Sequence, residues 1–313
     1  IIFQSMSFWK MIYFRWDEKE LRKWTSLKRT AYLLLPLLIY FVVHDAAEIF
    51  LVLLVQTVFG AAEAAGTLLA SAEDTVRGIL GALAALAGTA AVFPALKREL
   101  DSGKNACGGA KDRAPHEEKK GVDADEITAY AFLAALAVCL AAGLNIFFYQ
   151  TGLIGMSQSY SEVQARQYGM HFAAGLVLYG VVSPLAEETV FRGLLYNRMR
   201  RCFGYSLALV VSSFLFGAYH GNWVQAIYGT ILGLVITYTY GLYESFAAPL
   251  LFHGVANVSV YALTYKDALG GLGRRNVMIL GMVMLFAAAV IFWYITKKLM
   301  GKQDAIQVAR KHR

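Results

Sequence analysis

The stretch SPLAEETVFRGLL, Ser183–Leu195, places two adjacent carboxylates and an arginine in one of the most apolar parts of the chain. Two later apolar segments carry ionisable or amide groups of their own: His220 closes FLFGAYH, and His253 and Asn257 lie in LFHGVAN. An ionisable side chain at membrane depth costs about 2.5–3.5 kcal/mol on insertion scales, so it faces the bundle interior, pairs with a neighbour and marks function by default. Spacing sorts the set. Glu188 and Arg192 are four apart with the acid first, the order that lets them neutralise each other on a helix. Glu187 points about 100° away with no local cation, so burial should raise its pKa into the range of a general acid or base. His253 and Asn257 share a helix face and can present a ring nitrogen and an amide donor to one point. Glu187 and His220 stand 17 and 16 residues from Gly204, which puts them at matching height, roughly 24–26 Å from the turn of a helical hairpin. His253 comes soon after the loop Glu244–Ala248. It reaches that depth only if the loop dips into the bundle or the helices tilt.

These residues need membrane helices to position them. Of 313 residues, 58% are hydrophobic and 16% charged, with mean hydropathy +0.48. That balance excludes an ordinary soluble domain and predicts an all-α, polytopic membrane bundle. Apolar runs predict about eight spans, near 31–60, 77–97, 127–148, 171–200, 204–220, 223–243, 247–265 and 276–296. Basic groups in 10–29, after the second span, at Arg198, Arg200 and Arg201, and in the C-terminal tail set both termini in the cytoplasm. One outer loop breaks the pattern with Lys266, Arg274 and Arg275. The net charge of +7 therefore reflects topology rather than nucleic-acid binding.

The organisation follows: a basic, amphipathic segment at 1–30, two spans at 31–100, and a polar cytoplasmic linker at 101–126. A catalytic-type core spans 127–300, and a basic tail 301–313. The opening IIFQSMSFWK lacks the apolar run and cleavage site of a signal peptide, and Phe14–Trp24 reads as an interfacial segment. Cys107, Cys139 and Cys202 are scattered and read as free thiols. His44, Asp45 and Glu48 lie inside the first span, where His44 and Glu48 could form half a metal site, bond to a neighbouring helix or line a substrate entrance. His171 reads as interfacial, and His116 and His312 lie in polar segments. Aromatic and small residues in GNWVQAIYG and TYTYGLY read as interface anchors and close helix packing.

The three motifs Glu187-Glu188-Thr-Val-Phe-Arg192, Phe216-Gly-Ala-Tyr-His220 and His253-Gly-Val-Ala-Asn257 stand in order within about 75 residues. Together with Pro184 and the Phe191-Arg192-Gly193 continuation they resemble the CPBP family, also called the Abi or type II CAAX prenyl endopeptidase family, over roughly 125–300. The resemblance implies an intramembrane endopeptidase, integral and multi-pass, here placed in the plasma membrane of a prokaryote. Its substrate would be a membrane-associated peptide or protein: a prenylated tail, a leader or signal peptide, or another membrane protein. By resemblance, Glu187 and His220 activate water, His253 and Asn257 donate to the oxyanion, and Glu188 and Arg192 support the site. HExxH is absent and only two histidines belong to the motifs, so the mechanism is read as metal-independent, with no cofactor. The alternative is one divalent metal such as Zn held by Glu187, His220 and His253. Two other classes compete: a non-catalytic scaffold that binds a partner helix through the polar cluster, and a proton-relaying transporter. The lack of an inverted repeat speaks against the transporter.

Overall fold

The computed structural model describes residues 10, 13–14, 16–59, 73–107 and 124–311. Among them every regular element is helical. The helices are α1 (Glu18–Arg22), α2 (Ser26–Phe59), α3 (Glu73–Cys107), α4 (Ala124–Gln150), α5 (Gln158–Gly169), α6 (Phe172–Val177), α7 (Ser183–Glu188), α8 (Asn197–Phe203), α9 (Tyr205–Tyr219), α10 (Trp223–Tyr243), α11 (Ala247–Tyr265) and α12 (Arg274–Lys311). Wider π-helical turns at Leu178–Val182 and Thr189–Tyr196 join α6, α7 and α8 into one continuous rod.

Among the described residues, seven helices are long and apolar enough to cross a membrane, the rod Phe172–Phe203 counting as one. The chain is thus an integral, multi-pass, all-α membrane protein. The element expected at 204–220 forms as α9, apolar but only 15 residues long, about 22 Å at the helical rise and short of the length that spans a bilayer alone. Two expected boundaries move. α3 runs on to Cys107, into the stretch read as linker, and α12 runs to Lys311, through the stretch read as tail. Neither stretch contains a proline in those residues, so nothing stops the helix at the edge of its apolar run. The rest of the expected linker (108–123), most of the first outer loop and residues 1–9 lie outside the described residues, as does the side chain of Cys107.

The chain divides into two compact units. The first comprises residues 1–116 and 163–216. Here α2 and α3 pack along each other, and a side chain at Gly88 would meet the Tyr40 carbonyl at 2.9 Å, so only hydrogen fits there. The expected interfacial segment forms α1, capped by Asp17, whose carboxylate accepts from the Glu20 amide at 2.8 Å. Arg29 closes its other end by donating to the Leu21 and Arg22 carbonyls. Trp16, Trp24 and Tyr32 form an aromatic ladder with centroids 5.2 and 5.7 Å apart. This suits a segment at the membrane–water boundary.

A buried ion network ties this unit together. Glu99, 4% exposed, receives Arg198 Nε at 3.0 Å and Arg201 at 2.6 Å. Arg198 also donates to the Tyr32 carbonyl at 2.7 Å, and its guanidinium lies 4.2 Å from the centre of the Tyr32 ring. Thus α8 is fastened to α3 and α2 by residues far apart in sequence. The sequence reading had placed Arg198 and Arg201 in a turn as topogenic charges; the structure puts both inside the protein, because Glu99 is there to neutralise them.

The second unit comprises residues 117–162 and 217–313. α4 is its axis, packed against α11 and α12. Leu133, Leu136, Leu144, Ile236 and Phe252 build the shared core. α4 and α12 approach closely through reciprocal small-to-large contacts: Gly143 faces Leu285 and Gly281 faces Ile146.

Replacing Glu99 by Gln strands two guanidiniums in a buried site. We expect unfolding in detergent to become easier by about 3–5 kcal/mol, whereas Lys23→Gln, which breaks an exposed pair with Glu20, leaves the transition where it was.

Candidate active site

The first unit holds Glu187, Glu188 and Arg192. Their rod begins at Phe172 and meets Pro184 after one π turn. Proline has no N–H and its ring crowds the carbonyl four residues back, so the helix widens just before it. α7 is then a six-residue α-helical section ending in the two carboxylates, with a second π turn starting directly after Glu188. Such turns recur at functional sites. Asn197 stabilises the end of the second one by donating its side-chain amide to the Gly193 carbonyl at 3.1 Å.

Glu188 and Arg192 are both fully buried, and their ion pair closes at 2.9 Å. The i, i+4 relation read from sequence survives inside a wider turn. The Arg192 guanidinium also lies 4.3 Å from the centre of the Phe216 ring, and Phe191 meets the same ring edge-on at 5.3 Å. A carboxylate on one side and an aromatic face on another neutralise the cation without water. Phe216 is the first residue of the second motif. Arg192 and Phe216 each stand 12 residues from Gly204, so the chain folds back at Gly204 in the register expected of a hairpin. Gly204 itself has φ 87°, which favours glycine.

Glu187 is half-buried. The sequence left it with no cation of its own, but the structure brings it within electrostatic reach of Arg192. A guanidinium in a dry site interacts with both carboxylates, and its ion pair with Glu188 closes at 2.9 Å.

The second unit holds His220, His253 and Asn257. His220 lies just past the end of α9, in the turn to α10. The turn is built around Asn222, which caps α10 by accepting from the Gln225 amide at 2.9 Å and returns a bond to the His220 carbonyl at 3.3 Å. Gly221 supplies the positive φ of 74° that the bend requires. The His220 ring packs over Gly229 of α10, where a Cβ would stand 3.8 Å from it. One turn earlier, Gly217 lies so close to α10 that a side chain there would strike the backbone of Ala226 and Thr230. His253 is 4% exposed on α11, with Asn257 one turn on and half-buried. α10 ends at a left-handed Glu244, φ 51°, and only Ser245 and Phe246 precede α11. The connection at Glu244–Ala248 is a tight turn, and His253 stands about 9 Å along α11.

His44, Asp45 and Glu48 lie midway along α2 with their ligand atoms within 4.8 Å of one another. His44 Nδ1 and Asp45 share a contact of 2.9 Å, and the imidazole stacks on Tyr40. Cys139 and Cys202 are free thiols, as expected. Glu99, Asn197 and Asn222 were not singled out from sequence. Glu99 could have been noticed as an acid directly after the basic pair Lys97–Arg98, and Asn222 as a helix cap following His220-Gly221.

Residues 169–259 match the family model described as "Type II CAAX prenyl endopeptidase Rce1-like". The matched segment contains all three motifs, and the model describes the family that they resemble, so 169–259 is similar to a membrane-protease family and lies within a multi-pass helical protein. No curated protein and no solved structure matches the chain.

The Glu188–Arg192 pair gives a direct test. Arg192→Met leaves a carboxylate buried without its cation and should cost about 3–5 kcal/mol, read as a lower unfolding midpoint in detergent. The double change Glu188→Gln with Arg192→Met should recover most of that loss, because the pair acts as a unit. Gly217→Val should separate α9 from α10 and destabilise by more than about 1–3 kcal/mol, seen in the same melt.

Proposed function

We propose that this protein is an intramembrane endopeptidase that hydrolyses a peptide bond of a membrane-associated peptide or protein. The observation that carries the reading is the family match over 169–259, which encloses all three polar motifs. The contact of Arg192 with Phe216 supports it further, because it joins the first motif to the start of the second.

In this reading Glu187, assisted by His220, takes a proton from water as the oxygen attacks the scissile carbonyl carbon. His253 and Asn257 donate hydrogen bonds to the oxyanion of the tetrahedral intermediate. The proton held by Glu187 then passes to the leaving nitrogen as the C–N bond breaks, so water is divided between the new acid and the new amine. Glu188 and Arg192 keep the helix dry and fixed in phase. Water activation is assigned to the side chains themselves. Both termini are placed on the cytoplasmic side by the basic segments at 10–29 and 297–302.

The test is cleavage of a quenched library of membrane-associated peptides by purified protein in detergent, with and without a chelator. Glu187→Gln should lower the rate by about 10²–10⁴-fold and Asn257→Ala by about 10²–10³-fold, both with an unchanged melt. Loss of activity with the chelator would assign a metal in place of the side-chain mechanism. Undiminished cleavage by Glu187→Gln would sink the reading, and helix binding without any product would favour the scaffold.

A further inference from the structure

The loop that broke the cytoplasmic-positive pattern lies over a cavity inside the second unit. The cavity has a volume of about 740 Å³ and is bounded by the C-terminal ends of α4 and α11, the loop 266–273 and the first turn of α12. That size is typical of a small-molecule site. Its polar lining includes Asp267, Arg274, Asn145, Gln150 and Thr264, with the buried side chains of Ile146 and Val277 beneath.

We propose that this cavity binds the head group of a zwitterionic phospholipid, a phosphate ester bearing an amine. The charges are arranged for both halves. Arg274 and the N-terminus of α12 form a positive end suited to phosphate. Asp267 and the carbonyl ends of α4 and α11 form a negative end suited to an ammonium. Arg274 is held in place by a 3.0 Å bond to the Gln150 carbonyl, which uses one of its five N–H donors. Asp267 is set by an unusual backbone: its φ is 44°, and Gly270 follows so closely that a Cβ there would overlap the Asp267 carboxylate. The location selects a lipid over a soluble zwitterion. The cavity opens at the ends of three membrane-spanning helices, and below it α12 exposes Met278, Ile279 and Met282, a track for acyl chains. Lys297 and Lys298 mark the opposite end of α12, so the site belongs to the outer leaflet. Arg274 then has a reason to defy topology: it lines the cavity and faces phosphate. This inference does not depend on the protease reading.

The experiment is native mass spectrometry of the delipidated, full-length protein titrated with phosphatidylethanolamine, phosphatidylglycerol or soluble glycerophosphoethanolamine. Phosphatidylethanolamine should bind about tenfold tighter than either alternative, and Arg274→Gln should weaken it about tenfold, the value of one charge-assisted bond. Asp267→Asn, which tolerates the same backbone, should erase the preference over phosphatidylglycerol, and Gly270→Ala should do likewise by displacing the carboxylate. Equal binding of both lipids, or binding indifferent to these changes, would overturn the site. Equal binding of the soluble head group would overturn its assignment to a lipid.

Discussion

A guanidinium inside a membrane protein is tolerated only where a carboxylate meets it, and the rod that carries Glu187 satisfies this requirement twice. Arg192 is met by Glu188 on its own helix and by the ring of Phe216. Arg198 is met by Glu99 on α3 and lies over Tyr32 of α2. The two pairs do different jobs. The first is local and sets the inner face of the rod. The second is long-range and fixes where the rod stands, with Arg201 adding a second bond to the same carboxylate. Desolvating such charges is expensive, and an alternative packing that separates either pair would leave a bare ion in a dry site. The arrangement of the first unit is therefore specified by exclusion: few other placements keep every charge answered.

The second unit relies on closeness rather than charge. Gly143 and Gly281 let α4 and α12 pack through reciprocal contacts, and Gly217 does the same for α9 and α10. In a membrane, where lipid is as apolar as leucine, tight packing is the main attraction available to helices. The turn that presents His220 adds a polar device, since Asn222 caps α10 and bonds the carbonyl of His220 itself. The imidazole is thus delivered by a helix junction of defined geometry, and His253 and Asn257 by a regular helix face.

Sequence made the local features legible. Apolar run lengths gave the helices, Trp223–Tyr243 and Ala247–Tyr265 to the residue, because hydropathy acts residue by residue. The Glu188–Arg192 pair followed from helical periodicity, and the bend at Gly204 from glycine chemistry. What sequence could not show depends on distant or collective effects. Glu99 and Arg198 are 99 residues apart, and no local rule connects them. The roles of the first two spans were for that reason invisible. The π turns were also missed, since neither leaves a composition signal; only the first borders a proline, Pro184. Helix ends at Cys107 and Lys311 ran past the apolar edge because the hydropathy limit marks where lipid ends, not where a helix must, and no proline stops either helix there.

The two π turns give the carboxylates an angular freedom that a regular helix lacks. α7 is bounded by a wide turn on each side, and each wide turn holds residues surplus to the α-helical repeat. In a rod of uniform pitch, every residue's azimuth is dictated by its distance from the anchored end, about 100° per residue. Here the surplus is taken up at both borders. The collar bearing Glu187 and Glu188 is set like a dial between two fixed bearings, its heading chosen apart from that of the segments that hold it.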